Sequence, residues 1–239
     1  MVGLTITVQL YFKINYMELP KTVVKSQTVN PSLLTIFGQS KAGKTTMLSK
    51  LEGCLIIDTE RGSKYIDALK VEVGSTSDLK QLVGALKAEP NRYKYIALDT
   101  IDNVVSWIEK DIARENNLDS FAKLPFGDGY NQVRTRVMGL IDALLTCSDH
   151  IILVGHRKKT IIGTDSVEVN VSSLDLSGKL KNYIMAKSDA IGFVYRNEDN
   201  VLSISFEASD EIEAGTRLPH LAGKILPFDW KNIYKTSIK

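Results

Sequence analysis

Apolar residues in this chain follow two rhythms. Unbroken runs occupy 33–37, Cys54–Asp58, Tyr95–Asp99 and 150–155. Each has the length of a strand buried on both faces. Between the runs, apolar positions recur every three or four residues, as they do along one face of a helix. Leu79, Leu82, Val83 and Leu86 mark one such face. Ile101, Val104, Val105, Ile108 and Ile112 mark the next, and Val133, Val137, Leu140, Ile141, Leu144 and Leu145 a third. A further helix is predicted to begin at Lys44, and a short strand at Val71. Residues 116–130 hold Pro125, Gly127 and Gly129 and read as a long loop.

Beyond Gly155 the pattern changes. Residues 161–164 and 167–171 predict a hairpin, 175–187 a helix, and 190–195 with 201–206 two strands paired across a turn at 197–200. Buried strands alternating with amphipathic helices predict an α/β fold. Its sheet should be mostly parallel and flanked by helices, with an antiparallel extension near the C-terminus. At the N-terminus, Leu4, Ile6, Val8, Leu10, Phe12 and Ile14 alternate with polar residues. Residues 1–18 therefore read as an N-terminal extension, either an extra edge strand or an alternative start. Residues 19–239 read as one domain.

Composition narrows this picture only slightly. The chain has 239 residues, 44% of them hydrophobic and 24% charged, which fits a globular cytoplasmic protein. Thirty Lys and Arg against 28 Asp and Glu leave a net charge of +2. Any basic surface for nucleic acid must therefore be local. No apolar run reaches the length of a membrane span. Cys54 and Cys147 sit in apolar runs without the spacing of metal ligands.

The candidate chemistry lies just past the ends of the apolar runs. Gly38, Gln39, Ser40, Lys41, Ala42, Gly43, Lys44 and Thr45 match G-x-x-x-x-G-K-[ST], with Thr46 following. In such a loop, backbone N–H groups cradle phosphates and the lysine reaches the terminal ones. The threonine hydroxyl binds Mg²⁺. ATP and Mg²⁺ are thus the expected cofactors. Asp99 closes its run, where its carboxylate either holds the Mg²⁺ shell through water or caps the next helix. Glu60 follows the second run and is placed to polarise a water molecule. His156 follows the fourth run and is placed to sense the terminal phosphate. In a parallel sheet the crevice beyond the carboxyl ends of the strands binds ligands, so one crevice can hold all four.

The stretches "FGQSKAGKTT", "IIDTERG", "YIALDTID" and "IILVGHRKK" resemble the RecA-like core. Lys41, "DTERGSK", "LPFGDGYNQV" and "LDLSGKLKNYIMAKSDAIGFVYR" narrow the resemblance to phage-encoded RecA-like nucleotide-binding proteins. That family includes single-strand annealing proteins that act with a single-stranded DNA-binding protein. The resemblance implies that Glu60 is the water-activating base, that Asp99 is the magnesium aspartate, and that Lys44 contacts the reacting phosphates. It makes His156 the γ-phosphate sensor, where the recombinases carry glutamine. It further implies a homo-oligomer, ring or filament, and a single-stranded DNA partner. DNA would lie along the loops that follow the aspartate and sensor strands, 116–130 and 157–173. Arg157, Lys158 and Lys159 would meet phosphates, and Phe126 would stack on bases. Lys179 or Arg196 would complete a neighbour's ATP site. Two rivals remain: a P-loop kinase acting on a small molecule, and a non-hydrolysing DNA-binding scaffold or loader.

Overall fold

The computed structural model describes residues 29–164, 167–176 and 178–235, with 19, 21–23 and 26. The predicted N-terminal strand lies outside these residues. The first half of the chain alternates strand and helix. β1 (Leu33–Gly38) leads to α1 (Lys44–Ser49), then β2 (Cys54–Asp58), β3 (Leu69–Glu72), α2 (Thr76–Ala88), β4 (Tyr95–Asp99), α3 (Ile101–Glu115) and α4 (Asp128–Leu145). The second half holds β5 (His150–Thr164), β6 (Val167–Leu174), α5 (Gly178–Lys187), β7 (Ala190–Arg196), β8 (Leu202–Ser205), β9 (Gly215–Thr216), β10 (Ile225–Pro227) and α6 (Trp230–Ile233).

The strands join in the order β10-β8-β7-β1-β5-β4-β2-β3, with β6 paired to β5 and β9 to β7. From β3 to β7 the pairing is parallel; β8, β9 and β10 join antiparallel. This is the predicted α/β architecture, a mostly parallel sheet with an antiparallel C-terminal extension. Strand alternation sends side chains to both faces. Leu33 and Phe37 of β1 join one core under α2, α3, α4 and α5, together with Ile96 and Leu98 of β4. Leu34, Ile36, Tyr95 and Ala97 join the opposite core, under α1 and α6. Burial on both faces explains why these strands read as continuous apolar runs.

The structure corrects the sequence reading in four places. β3 starts at Leu69, two residues before Val71. Residues 116–130 are not one long loop. Two short 3₁₀ turns occupy Phe121–Lys123 and Pro125–Gly127, and α4 already begins at Asp128. Gly127, at φ 73°, supplies the left-handed entry to that helix. The helix predicted from 175 begins at Gly178. Finally, β5 is continuous for 15 residues. It leaves the main sheet after His156 and pairs with β6 from Arg157↔Leu174 to Thr164↔Val167. Arg157, Lys158 and Lys159 therefore stand on a strand rather than in a loop.

Candidate active site

The phosphate loop follows from the end of β1. Gly38 pairs with His156 on one side and Val194 on the other. A Cβ at Gly38 would lie 2.2 Å from the Val194 carbonyl oxygen, so only glycine fits. The chain then turns through left-handed backbone at Lys41 (φ 63°) and Gly43 (φ 114°) before entering α1. Gln39, Ser40, Lys41 and Ala42 form the curve between them. Thr46 lies just past the turn, exposed.

Lys44 is buried, and its Nζ donates to Gly38 O at 2.9 Å and Gln39 O at 3.0 Å. The ammonium thus lies folded over the mouth of the loop. Burial pulls its pKa down, and the carboxylates of Asp99, Glu60 and Asp102 oppose that shift without cancelling it. An anion in the loop would give this charge the partner it lacks.

Thr45 Oγ1 donates to Asp99 Oδ2 at 2.6 Å. Asp99 is 5% exposed. Burial raises its pKa to about 6, as do Glu60 and Asp58, against the hydrogen bond from Thr45 and the charge of Lys44. The N-cap of α3 is Thr100, not Asp99, so the capping role left open for Asp99 falls away. A hydroxyl hydrogen-bonded to a buried carboxylate is an oxygen donor set that suits a hard divalent cation. Thr45 and Asp99 are the residues that would hold Mg²⁺.

Glu60 sits on a turn that Asp58 builds. The Asp58 carboxylate accepts from the backbone N–H of Glu60 (2.9 Å), Gly62 (3.3 Å) and Ser63 (2.9 Å), and from the Ser63 hydroxyl at 2.5 Å. Burial alone would raise the Asp58 pKa. The bonds from Ser63, Glu60 and Gly62 outweigh it and hold the pKa below the usual value. Thr59 and Thr100 lock the turn to β4: Thr100 N–H donates to Thr59 Oγ1 at 2.7 Å, and Thr59 Oγ1 to Thr100 O at 3.1 Å. The Thr100 hydroxyl then donates to Glu60 Oε1 at 3.0 Å.

His156 meets this group from β5. Its Nε2 lies 3.5 Å from Glu60 Oε1, and its Nδ1 lies 2.5 Å from Asp102 Oδ2. The ligand atoms of Glu60, Asp102 and His156 all fall within 4.8 Å of one another. The hydrogen bond to Asp102 raises the His156 pKa, burial lowers it, and the charges of Asp102 and Glu60 add to the rise. An imidazolium there binds two carboxylates at once. Asp102 was missed in the sequence. Its one signal is its place in "DTID", and an acid in the first turn of a helix is ordinary. Asp58 and Thr100 were hidden in the same way, as strand end and cap.

The remaining expected residues are dispersed. Arg157 turns inward, donating from Nε to Ser172 Oγ at 3.0 Å and lying 5.3 Å over the Phe193 ring. Lys158 points to the other side of the strand, 3.9 Å from Asp175. Lys159 is exposed. The three charges in a row thus divide between two faces. Phe126 is fully exposed, at φ 54°. Lys179 is exposed on the first turn of α5. Arg196 stands beside the phosphate loop of its own chain, 3.8 Å from where a Cβ of Gly43 would be. A cavity of about 560 Å³ there is lined by Gln39, Lys41, Arg157, Tyr195 and Arg196, among others.

A parallel sheet that carries this loop, with Thr45, Asp99 and Glu60 at its carboxyl edge, defines a P-loop nucleoside triphosphatase. The AAA domain family matches residues 30–218, and the chain belongs to that family. It is an AAA-type P-loop ATPase, of the kind that typically uses ATP and Mg²⁺. No curated protein matches the chain. Among the described residues, no helix is long and apolar enough to cross a membrane.

Proposed function

We propose that this protein hydrolyses ATP to drive the binding and annealing of single-stranded DNA, as an oligomer that acts with a single-stranded DNA-binding protein in phage-type recombination. The hydrolytic part rests on one observation. Glu60 lies near enough to Lys44 and Asp99 for its charge to act on both, is held by the Thr100 hydroxyl and is faced by His156. A carboxylate so held is suited to orienting water. Bound Mg²⁺ would supply charge neutralisation at the terminal phosphates. Lys44 would release the two loop carbonyls and bind those phosphates instead. His156 Nε2 would exchange Glu60 for a phosphate oxygen, leaving Glu60 free to take a proton from water.

The DNA part rests on position. Lys158 and Lys159 come two and three residues after His156 and are exposed as β5 leaves the sheet. Nucleotide state and DNA contact would then share one strand. Phe126 offers a bare ring for stacking.

The test is release of inorganic phosphate from ATP by the full chain, with and without a single-stranded oligonucleotide, alongside annealing of complementary strands. Faster release with the oligonucleotide is expected. Transfer of the phosphate to a small acceptor would replace this reading with a kinase. Annealing that is indifferent to Glu60→Gln, with no hydrolysis in the parent, would replace it with a scaffold.

A further inference from the structure

A second large cavity lies at the other end of the sheet, away from the phosphate loop. It opens beside Tyr95 and His150, the first residues of β4 and β5, between the turn after α1 and the C-terminal α6. Its volume is about 1010 Å³, at the top of the usual range for small-molecule pockets, about 300–1,000 Å³. Residues 228–235 build one wall, and these lie beyond the 30–218 span of the family match.

That wall is rigid. The rings of Tyr95, His150 and Tyr234 pack on one another at 5.2, 4.7 and 5.1 Å between centroids. Trp230 Nε1 donates to Met47 O at 2.5 Å, which ties α6 to α1. Most of this aromatic surface is buried, so the wall shapes the cavity more than it offers faces to stack on.

The charge is on the rim. Lys50, Lys94, Lys231 and Lys235 line the cavity against two carboxylates, Glu52 and Asp229. Asp229 is already engaged in capping α6, accepting from Lys231 N–H at 2.9 Å. Among the described residues, none of the four lysines belongs to an ion pair. Lys235 Nζ donates to the Lys231 carbonyl at 3.3 Å, and Lys94 Nζ lies 5.2 Å over the Tyr95 ring. In a chain whose whole net charge is +2, this is a concentrated positive site.

Two features identify the ligand class. The cations are all lysines, compact point charges whose ammonium donors can meet phosphate oxygens from any side. All four also line one cavity of about 1010 Å³. A phosphodiester strand carries one charge per nucleotide and suits a stripe, whereas a polyphosphate packs several charges into one small volume. We propose that this cavity binds a small polyphosphorylated molecule, at a site separate from the nucleotide held by the phosphate loop. α1 connects the two sites: Lys44 and Thr45 begin it, while Met47 and Lys50 border the cavity.

The test is calorimetry with inorganic tripolyphosphate on the full chain, saturated with Mg²⁺ and a non-hydrolysable ATP analogue. The Lys44→Ala chain is run in parallel, so that failure of the phosphate loop to bind leaves this measurement intact. One binding event is expected in both. Lys94→Glu with Lys231→Glu should weaken it by about tenfold or more, and the milder Lys50→Gln should weaken it less. Circular dichroism checks that each variant is folded. Absence of the event, or an event unaltered by the lysine changes, would overturn the proposal. So would tighter binding of a thymidine oligonucleotide or of polyglutamate through the same lysines.

Discussion

His156 Nδ1 and Asp102 Oδ2 stand 2.5 Å apart, one residue at the edge of β5 and the other in the first turn of α3. A second hydrogen bond supports the pair, from His156 N–H to Asp102 Oδ1 at 3.3 Å. Asp102 thereby fixes which ring nitrogen faces Glu60. Asp102→Asn should slow turnover on the order of 10–100-fold while leaving nucleotide affinity nearly unchanged, because the ring loses its orientation. The His156 pKa is raised by Asp102. A raised histidine stabilises the fold fully below its unfolded value and loses that contribution as pH rises through the folded value. Without Asp102, the ring titration followed by NMR should move to lower pH. The alkaline limb of the rate profile should move with it.

Glu60→Gln keeps the hydrogen bond from Thr100 but removes the base. Turnover should fall on the order of 10²–10⁴-fold. Binding of a fluorescent ATP analogue should be nearly unchanged. Equal losses in both would place Glu60 in binding rather than in the chemical step.

Asp58 holds the turn beneath Glu60 with four hydrogen bonds. Its folded pKa lies below the unfolded value. The stability it contributes is present above about pH 3.9 and is lost as pH falls through the folded pKa. Asp58→Ala leaves several buried donors unpaired and should cost about 1–3 kcal/mol at pH 7. Urea unfolding at pH 7 and pH 3 should show the gap between the variant and the parent narrowing in acid.

Gly38→Ala would drive a Cβ to 2.2 Å from the Val194 carbonyl oxygen. Backbone cannot swing aside as a side chain can, so β1 and β7 must separate. A loss of about 1–3 kcal/mol in unfolding free energy is expected, with weaker nucleotide binding. Gly62→Ala has open space around it and should do neither.

Lys158 and Lys159 can be separated from Phe126 by the kind of effect each substitution has. Replacing both lysines with alanine should weaken oligonucleotide binding and flatten its dependence on salt. The logarithmic slope should fall by about 0.7 for each single-strand phosphate left without its lysine. Phe126→Ala should cost about 1–3 kcal/mol of binding with the slope intact. Its ring is fully exposed, so fold stability should not move.

Much of this site was legible along the chain, and for a physical reason. Gly38, Gly43, Lys44 and Thr45 act through backbone freedom and short-range spacing, which a linear motif records. The apolar runs marked strand ends, and parallel pairing puts those ends on one edge, so Glu60, Asp99 and His156 could be expected together. The errors fell where local signals are weak. The charged run after His156 read as a loop, but pairing with β6 made it a strand and sent Arg157 and Lys158 to opposite faces.

The sequence by itself determined the strand–helix alternation, the phosphate loop and the residues at the strand ends, because buried strands and tight turns restrict composition locally. Only the tertiary structure decided that Asp102 orients His156, that Thr100 holds Glu60, and that Arg196 stands beside its own loop. Those pairings join residues from separate strands and helices. They depend on strand order and register, which no local pattern of polar and apolar residues encodes.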